Sequence, residues 1–151
     1  MKVRIKKLSD KAVIPAKAHA TDAGFDLVAT RMWYDEYGNI CYGTDLAFEI
    51  PAGFIGYIFP RSSNAKKQLV LSNSVGVIDA GYRGEVTFKF KPSLALDGTQ
   101  CVTDKKRYDI HKVGDHIGQL IIMPVPEIEF EEADELSETD RGTGGYGSSG
   151  R

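Results

Sequence analysis

Glu85-Val86-Thr87-Phe88-Lys89-Phe90-Lys91 alternates strictly: Val86, Phe88 and Phe90 fall on one face, and Glu85, Thr87, Lys89 and Lys91 on the other. A period of two fits a pleated strand with one face in a core and the other in water, and leaves little room for a helix. Similar signals recur on both sides. Val3, Ile5 and Leu8 begin a loose alternation, Tyr42–Ile50 carries another, and Phe54–Phe59 (FIGYIF) is dense in β-formers. His116–Met123 and Glu127–Glu131 predict further strand. Turns are expected at Glu36–Asn39, Pro51–Gly53, Asp79–Gly81 and Leu96–Gly98, each with a glycine or Asx residue where the chain must reverse. Helical signal is thin: Ser63–Gln68 predicts one short helix capped by Ser62 or Ser63. With no βαβ rhythm and no internal repeat, the chain reads as all-β, a sandwich or distorted barrel.

The length, 151 residues, suits one domain able to bury about 70% of its extended surface. Net charge is −2 and the isoelectric point 5.9. That balance disfavours a binder of nucleic-acid backbones, and the cationic run Lys105–Arg107 reads as solvated surface. The basic N-terminus is followed by no apolar stretch, so no secretory signal is expected. The longest apolar run, Leu120–Val125, is broken by Pro124 and falls far short of the roughly 20 residues that a membrane helix needs. Cys41 and Cys101 lack CxxC spacing and read as thiols of a reducing compartment, with a single bridge left open; a cytoplasmic protein is expected. His111 and His116 lack a zinc spacing and read as surface or half-buried histidines.

Five segments carry candidate chemistry. In Ala23-Gly24-Phe25-Asp26-Leu27, Asp26 is either an edge residue or a carboxylate that holds the water shell of a hard cation. Arg61-Ser62-Ser63 is either a helix cap or a phosphate site. In Asn73–Glu85 (NSVGVIDAGYRGE), glycines permit a tight hairpin, and Asp79 is a turn former or a general base that polarises water. Tyr82 there is sheet surface or a plate for a sugar ring, and Arg83 is expected to pair with a strand or another subunit. In Gly114–Leu120 (GDHIGQL), Gln119 stands among apolar residues, and a buried amide must find partners. Arg141–Gly150 (RGTGGYGSSG) is too glycine-rich to pack as a core, yet carries a cation, an aromatic and hydroxyls. It suits a flap ordering over a nucleotide with phosphates, and the acidic stretch 133–140 reads as its tether. The expected division is a nucleotide-binding body, 1–132, and a flexible tether and flap, 133–151. No P-loop, Rossmann turn or zinc-deaminase signature is present.

In this order, AGFDL, RSS, NSVGVIDAGYRGE, GDHIGQL and RGTGGYGSSG resemble the five motifs of the trimeric dUTPases, and the resemblance spans almost the whole chain. It implies a distorted β-barrel, jelly-roll-like subunit with one short helix and a flexible tail, in a homotrimer with three shared active sites. It implies hydrolysis of dUTP to dUMP and pyrophosphate by water attack at the α-phosphorus, with Mg2+ held largely by the phosphates. By motif position, Asp26 would bind waters of the magnesium shell, Asp79 would orient and deprotonate the attacking water, and Gln119 would reach phosphate or that water. Arg61, Ser62 and Ser63 would sit at the phosphates. Asn73, Gly76 and Ile78 would read the uracil edge, and Tyr82 would pack on the deoxyribose. In the flap, Arg141 and Ser148 would grip the γ-phosphate and Tyr146 would cover the uracil, with Gly145 and Gly147 shaping the backbone between them. The partners implied are dUTP and two further copies of the chain, with no nucleic acid and no membrane; a partner protein at the longer segments is left open.

Three departures from the family pattern stand out. Pro60 occupies the place of a common glycine, Gly118 that of an alanine (read as a mild change), and Tyr146 that of a phenylalanine. Segments 31–44 and 94–112 look longer than a minimal member needs and read as surface excursions. Two rivals differ in class: a deoxycytidine triphosphate deaminase, in which Glu85 would serve as the carboxylate, and a non-enzymatic nucleotide binder.

Overall fold

The structure, a computed structural model, describes residues 1–67, 69–92 and 109–145. The strands are β1 (Arg4–Lys7), β2 (Phe25–Val28), β3 (Arg31–Tyr34), β4 (Ile40–Glu49), β5 (Phe54–Phe59), β6 (Leu69–Leu71), β7 (Gly76–Ile78), β8 (Glu85–Pro92) and β9 (His116–Pro124). They form two antiparallel sheets in a jelly-roll-like arrangement. One runs β1-β4-β8-β6 with β3 also on β4; the other runs β2-β9-β5-β7. Among the described residues the helical content is one 3-10 turn, Ser62–Lys66.

The alternation of β8 is realised as read. Val86, Phe88 and Phe90 are buried, and Phe88 and Phe90 stack with centroids 6.2 Å apart. Facing them across the core are Leu27, Ile58, Ile117 and Leu120 of the second sheet. The inward set of β4 is Ile40, Tyr42, Thr44, Leu46 and Phe48, continued by Ile50 just beyond the strand, all buried. The register slips between Gly43↔Thr87 and Ala47↔Glu85, so four steps on β4 face two on β8. Because the excess is two residues, the parity of the inward face survives the bulge. Asp45, inside it, takes a left-handed φ of 52° and donates its N–H to Glu85 Oε1 at 2.8 Å.

Several expectations change. Residues 31–44 are not an excursion: they supply β3 and the start of the central strand β4, where Cys41 and Tyr42 are fully buried. Glu127–Glu131 is not strand; Ile128 and Phe130 are 64% and 93% exposed. A strand needs a hydrogen-bonding neighbour, and within the described chain this segment has none. The short helix is a 3-10 turn with Arg61, not a serine, at its N-cap. Its ends close through backbone bonds from Asn64 N–H to Arg61 C=O and from Lys67 N–H to Asn64 C=O, each 2.9 Å, which makes a side-chain cap unnecessary. Gly118 is no mild exchange for alanine, because a Cβ there would run into the Phe88 ring and lie 2.8 Å from Phe59 O.

His111, expected at the surface or half-buried, is buried in the core. Arg83 pairs with no described carboxylate; its Nη1 donates to Ala80 O and Tyr82 O of its own turn, at 2.6 and 2.9 Å. Cys41 is a buried free thiol. Among the described residues, no helix is long and apolar enough to cross a membrane. Gln68, the turn expected at Leu96–Gly98, Cys101, the run Lys105–Arg107 and the flap residues Tyr146, Gly147 and Ser148 lie outside the described residues.

Candidate active site

Sheet register brings the first, second and fourth motifs together. On β2 and β9, Asp26 faces Gln119; on β9 and β5, Gln119 faces Phe59, which leads directly into Pro60 and Arg61. Arg61 Nε lies 2.9 Å from Asp26 Oδ1, and His116 Nδ1 lies 3.3 Å from Oδ2. Gln119 Nε2 donates to Pro60 O at 3.2 Å, the partner that its half-buried amide required. The Asp26 backbone N–H is held by Ala16 O at 2.9 Å. With its side chain 18% exposed, Asp26 keeps solvent access while both carboxylate oxygens face cationic or N–H donors. Ser62 and Ser63 follow at the exposed start of the 3-10 turn.

Two backbone details explain this fit. A Cβ at Gly24 would overlap the Gln119 side-chain amide, so the glycine of AGFDL clears the space that the amide occupies. Proline at position 60 donates no backbone hydrogen bond, but its carbonyl is the group that Gln119 uses. Proline at this position thus keeps the carbonyl that Gln119 needs, and the serines follow at 62 and 63.

The third motif forms a separate site. Between β6 and β7 the chain reverses through Ser74, at φ 61°, with Ser74 N–H donating to Leu71 O (3.0 Å) and Val75 N–H to Asn73 O (2.6 Å). A non-glycine residue in the left-handed region is uncommon and costs on the order of 1 kcal/mol, so the surrounding turn must hold it. Gly76 packs so close to Ile58 that a Cβ would overlap its side chain, while Ile78 is buried opposite Gly56. Asp79, just beyond β7, is exposed and accepts the Tyr82 N–H at 3.0 Å through its backbone carbonyl. Tyr82 Oη donates to Glu85 O at 3.1 Å, and its ring covers Gly84.

These two groups are far apart within one chain. The Gly56↔Ile78 pairing puts Asp79 opposite Ile55, three strands from β2 and four residues along the sheet from the Asp26–Gln119–Phe59 row. At ordinary strand spacing and rise, Asp26 and Asp79 are about 20 Å apart. The fifth motif is described only to Gly145. Arg141 is exposed, its Nε donating to Gly144 O at 3.0 Å, and joins neither group through a described contact.

Sequence reasoning missed His116 as a neighbour of Asp26. The register shift between Leu27 and Val28, which allows the contact, leaves no local signature. It also missed the fate of Glu85. Arg31 grips that carboxylate from both terminal guanidinium nitrogens (Nη1 to Oε1 2.8 Å), and the Asp45 N–H occupies Oε1 as well. No three His, Cys, Asp or Glu side chains converge as a metal cage among the described residues.

The model of the dUTPase family matches residues 10–150. The deoxyuridine 5'-triphosphate nucleotidohydrolase of Rhodococcus erythropolis is 40% identical over 152 aligned residues, covering 99% of this chain and 87% of that protein. The Nautilia profundicola protein of the same name is 39% identical and aligned over the full length of both. Among solved structures, the Staphylococcus bacteriophage 80alpha dUTPase with dUPNHPP superposes with a TM-score of 0.80 at 30% identity, covering 99% of each chain. Motifs in order, a two-sheet fold and an Asp–Arg–Gln cluster where the motifs require one lead to the same answer: this chain belongs to the dUTPase family.

Proposed function

We infer that the chain hydrolyses dUTP to dUMP and pyrophosphate, a dUTP diphosphatase activity that limits uracil entry into DNA and supplies dUMP for thymidylate synthesis. The observation that carries the reading is the convergence of Asp26, Arg61 and Gln119 from three separate motifs in a chain of this family. Arg61 and the Ser62–Ser63 hydroxyls meet the phosphates, supplying a cation and donors where negative charge develops. Asp79 accepts a proton from a water molecule whose oxygen attacks the α-phosphorus. The bond to the α–β bridging oxygen breaks, and pyrophosphate departs with that electron pair.

Asn73, Gly76 and Ile78 present main-chain and amide groups to the uracil edge. A pocket built for two carbonyls flanking one N–H leaves polar groups unpaired against cytosine, which rejects it more strongly than size alone. Tyr82 packs on the deoxyribose, where a 2′-hydroxyl would collide. Arg141 and Ser148 reach the γ-phosphate, Tyr146 covers the base, and the glycines at 145 and 147 let residues 133–151 close as a flap over the 1–132 body. Magnesium fits Asp26 as an outer-shell ligand. A lone carboxylate already engaged by Arg61 and His116 suits metal-bound water better than direct coordination. When bound, the ion offsets charge on the triphosphate and on the leaving pyrophosphate.

The separation of about 20 Å between Asp26 and Asp79 exceeds what one triphosphate site can bridge. That separation supports a site assembled from more than one copy, as in a homotrimer with three shared sites. The 80alpha dUTPase with dUPNHPP supports the substrate class. The deaminase alternative loses its carboxylate, because Glu85 is clasped by Arg31 and the Asp45 N–H.

Pyrophosphate release from each common deoxy- and ribonucleoside triphosphate, with and without magnesium, tests the reading. Release is expected from dUTP, dependent on magnesium, with the others slower by orders of magnitude. Ammonia release from dCTP, or turnover of no nucleotide, would reject it.

A further inference from the structure

We propose that His111 and Asn64 act as a positioning pair that sets the phosphate-binding turn, a role that rests on the function proposed above. Neither residue belongs to a motif. Asn64 is the buried residue of the 3-10 turn that begins with Ser62 and Ser63. Its Nδ2 donates to Leu69 O at 2.8 Å, which leaves Oδ1 as an acceptor. His111 Nε2 lies 3.2 Å from that oxygen, so the imidazole carries its proton on Nε2 and donates it.

The imidazole is itself fixed. His111 is 2% exposed; its ring lies edge-on to Tyr42 (5.9 Å between centroids) and tilted on Phe90 (5.4 Å). Tyr42 Oη donates to the His111 carbonyl at 2.9 Å, pinning the backbone as well. The core thus grips the middle of a turn that has no side-chain cap of its own. The near end is held by the Gln119–Pro60 and Arg61–Asp26 contacts. Between the two anchors stand Ser62 and Ser63. A one-turn helix with few internal bonds has little rigidity alone, and small displacements of a phosphate donor are costly. His111 and Asn64 are placed to prevent that displacement without touching substrate.

Gly76 and Ile78, which read the base in the proposed function, stand on β7, whose described partner strand is β5, so the base contacts should respond far less to loss of the His111–Asn64 bond than the phosphate contacts. The test therefore compares two probes, dUTP with magnesium and 2′-deoxyuridine, which lacks phosphate, at a temperature well below unfolding. In His111→Leu, KM for dUTP should rise about tenfold, the loss of roughly one buried hydrogen bond, while kcat changes less than threefold. The inhibition constant of deoxyuridine should stay within twofold. His111→Gln, whose amide N–H can still donate to Asn64 Oδ1, should recover most of the lost KM. Where His111→Leu does not fold, His111→Phe, which keeps a ring against Tyr42 and Phe90 but cannot donate to Asn64 Oδ1, provides the same comparison.

An unchanged KM for dUTP overturns the proposal, as does an equal loss of deoxyuridine binding, which would mark the pair as general scaffolding. Failure of His111→Gln to recover KM also counts against it. Wild-type protein that does not hydrolyse dUTP would instead defeat the proposed function, so the two failures are distinguishable.

Discussion

Asp26, within β2, and Asp79, just beyond β7, are both carboxylates, yet their surroundings assign them different work. Asp26 sits between Arg61 and His116, which suits an anchored charge. Asp79 is exposed beside a tight turn, with its side chain unclaimed by any described hydrogen bond, which suits a group that must take a proton. Replacing Asp79 by Asn should lower kcat by at least a hundredfold, while calorimetric affinity for a non-hydrolysable α,β-imido dUTP stays within a few-fold. Turnover near wild type would remove Asp79 from the base role. Gly118→Ala should destabilise the fold by about 1–3 kcal/mol, because the added methyl meets both the Phe88 ring and the Phe59 carbonyl. A shift in urea midpoint checks this, and an unshifted midpoint would show that the Phe88 ring yields freely.

Strands were the elements most open to reading. Period two in β8 foretold both its extent and its buried face, since alternation is a local property and its two sides differ sharply in polarity. β4 was half legible: Tyr42–Ile50 was read as alternating strand, but residues 31–44 were also read as a surface excursion, because Cys41 and Gly43 on the opposite face are buried too and the two-residue bulge before Ala47 has no local signature. Glu127–Glu131 misled for the opposite reason, having a strand's pattern without a described partner. At the candidate site, Asp26, Arg61 and Gln119 were legible as motif members and do meet. The contacts of His116, Glu85, Asn64 and His111 depend on registers and turns between residues distant in sequence, which no local pattern encodes. The element most exposed to a single change is β8: Phe88→Ala should cost about 3–5 kcal/mol, read as a lower thermal midpoint, since the fully buried ring fills the space between the sheets.

For the whole molecule, stability is coupled to pH through a core imidazole. Burial, then the charge of Lys67, pushes His111 below its ordinary value of 6.5, with Asp115 and Asp109 opposing. The native state therefore takes up this proton less readily than the unfolded chain. The stabilisation is complete above about pH 6.5 and is lost as pH falls through the lowered native value. Between pH 7 and pH 5, the thermal midpoint of the wild type should fall more steeply than that of His111→Gln; parallel curves would refute this. Assembly offers a second test. If Asp26 and Asp79 serve one site from different copies, inactive Asp79→Asn and Asp26→Asn proteins, unfolded and refolded together in equal amounts, should regain about a quarter of wild-type turnover. No recovery would place both carboxylates in one subunit's site.

The clasp of Arg31 on Glu85 reaches beyond stability, to the routes by which this scaffold can diversify. An ancestor drifting toward removal of cytosine's amine would have to free a carboxylate that currently fastens β3 and the β4 bulge to β8. New chemistry and architectural integrity thus compete for the same oxygens. Directed evolution toward ammonia release should therefore fix reinforcing changes around Arg31 and Asp45 before any gain in the new reaction.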